Sequence, residues 1–154
     1  MSDTATETTA ALRSQEPEVH RLDVVHVHGD AYAVDVRGHQ LLVDQPSEAG
    51  GNDTAPTPVE LFAASLATCV AFYAGRYLQR HGIPRSGLHV RTEFTMAPDR
   101  PARVASVRLL ITPPPGLSPQ RHAALVAVAS HCTVHNTLHE TPETEIRLEP
   151  GTSD

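Results

Sequence analysis

Residues 59–74, VELFAASLATCVAFYA, are apolar on nearly every helical face and rich in Ala. Only a helix enclosed on all sides and closely approached by other elements uses such a composition. Its start is as well marked as its body: Thr57 can cap, Pro58 suits the first helical position, and Glu60 at the third can bond back to the cap amide. A helix is therefore predicted from Pro58 to about His81, ending before Gly82 and Pro84. The whole chain has 154 residues, the size of one domain. So short a chain cannot enclose that helix alone, and a second copy is expected to share in burying it.

The flanking segments read as an α+β protein. Residues 1–18 are poor in large apolar side chains and lack any period, which predicts a disordered tail ahead of a single domain over residues 19–154. Three β-prone runs, 22–28, 31–36 and 40–44, are separated by His28-Gly29-Asp30 and Arg37-Gly38-His39, the pattern of a three-stranded meander. A loop follows from Gln45 to Pro56. Beyond the central helix, residues 88–97 and 104–112 predict a hairpin, and Ser118-Pro119 opens a second helix through Ser130. A helical turn is expected from Thr133, and alternation over Glu143–Glu149 predicts a last strand.

Composition narrows the function. Apolar residues make up 40% of the chain, enough for a packed core. Twelve Arg, no Lys and eighteen acids leave a net charge of −6, the wrong sign for nucleic acid or an anionic membrane as main partner. The most apolar stretch, Leu61 to Ala74, falls short of the ~20 residues of a membrane span. Without a signal-like start, and with too few cysteines for a disulfide scaffold, the expected location is cytoplasmic. No dinucleotide or phosphate-loop motif is present, and no cofactor or resident metal is expected.

Two cysteines carry the remaining chemistry. Cys69 lies in the apolar half of the central helix, and Cys132 follows 63 residues later, between His131 and His135, where helix-end amides can stabilise a thiolate. Free cysteines also serve as small buried hydrophobes, and composition alone leaves both roles open. PVELFAASLATC followed by HCTVHNTL, with the VDQP, GG and PTP approach to the first motif, resembles the OsmC/Ohr superfamily, the osmotically inducible and organic-hydroperoxide-resistance proteins.

That resemblance implies an intertwined α+β homodimer with antiparallel sheets wrapped around two central helices. It also implies a thiol-dependent peroxidase: Cys69 would attack an organic hydroperoxide, Cys132 would resolve the sulfenic acid to a disulfide, and a dithiol reductant would restore both thiols. Peroxidase members place an acid directly after the helix-initial Pro, paired with an Arg from an early hairpin. Here Val59 occupies the acid's position, Glu60 lies about 100° further round the helix, and the first hairpin turn lacks Arg, which leaves Arg37 as the nearest early cation. Two other functions compete. Cys132, His135 and His139 at offsets 0, 3 and 7 could share one helical face as a metal or redox sensor. Alternatively, the protein could bind a small apolar ligand without catalysis, its cysteines being structural.

Overall fold

The computed structural model of the chain describes residues 17–151, which form antiparallel sheets and helices grouped in two compact units, one up to Ala55 and one from Pro56. The expected N-terminal tail lies outside the described residues except for Pro17 and Glu18.

The first unit is the meander. Strands β1 (Asp23–His28), β2 (Ala31–Val36) and β3 (His39–Val43) pair antiparallel in that order, with Val24 opposite Val34 and Ala33 opposite Leu42. The β2–β3 turn is Arg37-Gly38, both at positive φ (50° and 80°), the two-residue hairpin that matches the twist of its strands. After β3 the chain is knotted around Asp44. Its carboxylate accepts hydrogen bonds from the amides of Gln45 (2.8 Å), Asn52 (3.3 Å) and Thr54 (3.0 Å) and from the Thr54 hydroxyl (2.7 Å). Those donors hold the Asp44 carboxyl down at about 2. The loop closes tightly enough that a Cβ on Gly51 would stand 2.0 Å from the Gln45 carbonyl oxygen, so only glycine fits there.

The second unit is built on α1 (Pro58–Arg80). The expected capping box forms: Glu60 N–H donates to Thr57 Oγ1 (3.2 Å) and Thr57 N–H donates to Glu60 Oε2 (2.8 Å). One face of the helix, Leu66, Val70, Ala74, Tyr77 and Leu78, enters a core completed by Leu117, Leu125, Ala129 and Cys132. Strands β4 (His89–Met96) and β5 (Val104–Thr112) pair antiparallel and turn Val90, Val107, Leu109 and Ile111 onto that core. Two short helices, α2 (His122–Ala129) and α3 (Thr133–His139), pack against α1 and finish the unit.

Two expectations are corrected. With its 23 residues α1 is long and apolar enough to cross a membrane, contrary to the shortfall read from Leu61–Ala74, although one face is committed to the protein core. The strand expected over Glu143–Glu149 is absent: that segment has no regular structure, and Ile146 and Leu148 are almost fully exposed. Alternation supplies a strand's two faces but not the neighbouring edge whose hydrogen bonds make it a strand. Enclosure of α1 is also partial within one chain, since Phe62, Ser65, Thr68 and Phe72 remain exposed along it.

Candidate functional site

Cys69 and Cys132 come together. Cys69 sits about three turns into α1, half-buried at the edge of the core. Cys132 immediately precedes α3 and is fully enclosed. It is the N-cap of α3, its sulfur accepting the His135 amide at 3.4 Å, and it adjoins Cys69. Burial pushes the Cys132 thiol pKa up, against the downward pull of the His135 amide, and the adjoining Cys69 sulfur raises it further. Both cysteines are free thiols. A half-buried cysteine therefore adjoins a fully enclosed one held as a thiol, and a reagent arriving from solvent meets Cys69 first.

Glu60 does not form part of that pair. Nine residues before Cys69, Glu60 lies on the opposite side of α1, and its carboxylate is occupied by the capping box. Arg37 is an exposed turn residue of the N-terminal unit. Two residues that sequence reasoning passed over lie on the face of α1 that carries Cys69. Tyr73, one turn beyond Cys69, hydrogen-bonds through its hydroxyl to Thr133 Oγ1 at 3.1 Å. Arg76, two turns beyond Cys69 on the same face, lies over the Phe72 ring at 5.9 Å. The offsets of 4 and 7 from Cys69 were legible as a shared helical face; what that face looks onto was not.

A groove of about 670 Å³ runs between α1 and α2, lined by Phe72, Tyr73, Arg76, Arg80, Ala127, Val128 and His131. Its walls come from residues one turn past Cys69 and one residue before Cys132. The lining is mostly apolar and includes two arginines, which suits an organic molecule better than a small inorganic one.

The three-ligand metal set does not form. Among the described residues no three His, Cys, Asp or Glu side chains converge on a point. Cys132 caps α3 instead of lying within it, so the helical offsets that would align it with His135 and His139 do not apply, and its sulfur faces the core. His135 instead donates through Nδ1 to the Ser130 carbonyl, which leaves its Nε2 to accept from His139 Nε2 at 3.2 Å.

Residues 50–147 match the family model described as OsmC-like protein. Among curated proteins, none matches the sequence. Among solved structures, the chain is similar to a protein from Psychrobacter arcticus described as an osmotic stress induced and detoxification response protein (22% identity, TM-score 0.72, covering 80% of this chain and 90% of that one). It is also similar to the organic hydroperoxide resistance protein OsmC of Legionella pneumophila (22%, TM-score 0.62, 80% and 91%). A third similar structure is the organic hydroperoxide resistance protein OhrB of Bacillus subtilis (17%, TM-score 0.58, 80% and 93%). At these identities the likeness is one of fold.

Proposed function

The chain belongs to the OsmC-like protein family, and from that premise we propose that it is a cysteine-based peroxidase that reduces organic hydroperoxides with electrons from a dithiol. The observation that carries this reading is the contact between a half-exposed Cys69 and an enclosed, protonated Cys132.

In the first step the Cys69 thiolate attacks the peroxide: an S–O bond forms, the O–O bond breaks, and the alkoxide leaves and takes a proton to become the alcohol. Cys69 is then a sulfenic acid. In the second step the Cys132 thiol displaces that hydroxyl, which departs as water, and a Cys69–Cys132 disulfide forms. An external dithiol reduces the bridge to two thiols and is itself oxidised. The α1–α2 groove supplies apolar surface for the organic part of the substrate. Arg37 is assigned the support of the thiolate's charge, and Glu60 the placement of the helix that carries Cys69. We take the working form to be a cytoplasmic homodimer.

The test is consumption of cumene hydroperoxide and of hydrogen peroxide with dithiothreitol as reductant. Faster turnover with the organic substrate, its loss in Cys69→Ser, and a 69–132 crosslink within one chain by mass spectrometry are expected. Purified protein that consumes neither peroxide overturns the reading. The same groove would then support the non-catalytic alternative, a binder of small organic ligands.

A further inference from the structure

The hydrogen bond between Tyr73 and Thr133 joins residues 60 apart in sequence, and it is a side-chain bridge from α1 to α3. The remaining side-chain bonds around α3 run elsewhere. His135 Nδ1–H and Asn136 Nδ2–H donate to the carbonyls of Ser130 and His131, which ties α3 to the end of α2. Apolar contact between Val134 and the core is non-directional and sets no angle. Among the described residues, and beside the cysteine pair itself, the hydroxyl pair is the side-chain hydrogen bond that orients the start of α3 against α1.

The placement of that bridge is informative. Tyr73 is one turn from Cys69, about 6 Å along the axis on the same face, and Thr133 directly follows Cys132. The hydroxyl pair and the thiol pair are thus two adjacent rungs between the same two elements. A disulfide demands narrow geometry, with Cβ atoms about 3.5–4.5 Å apart and a dihedral near 90°. If the first rung orders the start of α3 beforehand, closing the S–S bond need not order it. Without that rung, the loss of freedom opposes bridge formation.

We propose that Tyr73 is a positioning residue: through Thr133 it holds Cys132 in register with Cys69 and thereby raises the effective concentration of one thiol at the other. This rests on the cysteines acting as a redox pair but not on peroxide being the oxidant.

The experiment is equilibration of the full chain with mixtures of reduced and oxidised glutathione, followed by acid quenching and mass spectrometry of the 69–132 bridge. The variants are Tyr73→Phe, Thr133→Val, Thr133→Ser and the Tyr73→Phe/Thr133→Val pair. Tyr73→Phe and Thr133→Val should each lower the equilibrium constant for the bridge about tenfold, which raises the reduction potential by about 30 mV. The double variant should lose no more than either single one, and Thr133→Ser, which keeps a hydroxyl, should match the parent. A Tyr73→Phe potential equal to the parent's overturns the proposal even if the melting temperature falls, and so does a Thr133→Ser shift as large as that of Thr133→Val. A parent chain that forms no bridge at any ratio overturns it as well. Peroxide consumption is measured separately: its absence alongside the tenfold shift removes the peroxidase reading and leaves the positioning role standing.

Discussion

Cys132 is held as a thiol by its surroundings, because removing a sulfur from water penalises the anion more than the His135 and Val134 amides compensate. Iodoacetamide at about pH 8, near the titration of an ordinary cysteine, should therefore modify Cys69 first and Cys132 only after unfolding, as peptide mapping would show. Cys132→Ser should leave the first peroxide turnover intact but block the bridge. Dimedone should then label a persistent sulfenic acid on Cys69, or mass spectrometry should find it carried on to the sulfinic form. Asp44 presents the opposite electrostatic case, since four donors stabilise its anion and lower its carboxyl from 3.8 to about 2. A folded-state pKa below the unfolded value means that its contribution is complete above about pH 4 and is lost as pH falls through about 2. Urea titrations should show Asp44→Asn to be the less stable protein at pH 5, with the gap to the parent closing towards pH 2.

At the scale of elements, the start of α1 is a local signal that the structure realises in full. The Thr57-Pro58-Val59-Glu60 run was legible as a helix start, and the structure forms both reciprocal bonds of the box. That use of Glu60 also takes its carboxylate away from Cys69, on the far side of the helix. Thr57→Ala should cost about 1 kcal/mol in denaturant unfolding, the usual worth of an N-cap. Glu60→Gln retains an oxygen able to accept from the Thr57 amide, so it separates capping from chemistry. Stability within about 0.5 kcal/mol of the parent together with unchanged peroxide turnover is expected of a cap; a selective loss of turnover would assign Glu60 to the chemistry.

At the scale of the molecule, much apolar surface stays uncovered in the single chain. Phe72 is 59% exposed on α1, Val24 and Val25 are about half exposed on β1, and Ile146 and Leu148 stand free near the C-terminus. Large exposed apolar side chains of this kind suit an interface, and a second copy is the occupant we propose. Sedimentation at micromolar concentration should give twice the 16.6 kDa chain mass, and Phe72→Glu should shift the equilibrium towards monomer. A parent chain that sediments as a monomer would refute the dimer.

The sequence by itself determined the local structure: α1 and its cap, the meander with its Arg37-Gly38 turn, the β4–β5 hairpin, and the pair of motifs that carry the family likeness. These rest on short-range physics, in which hydrophobic period, capping residues and turn residues act within a few positions of one another. The tertiary structure decided the rest. Contact between Cys69 and Cys132, the turn of the Cys132 sulfur into the core and away from His135 and His139, the Tyr73–Thr133 bridge, and the failure of residues 143–149 to become a strand all depend on what a side chain or strand edge meets across the fold. Such long-range meetings leave no period in the sequence, because they are fixed only when separate elements compete for the same buried volume and the same hydrogen-bond partners.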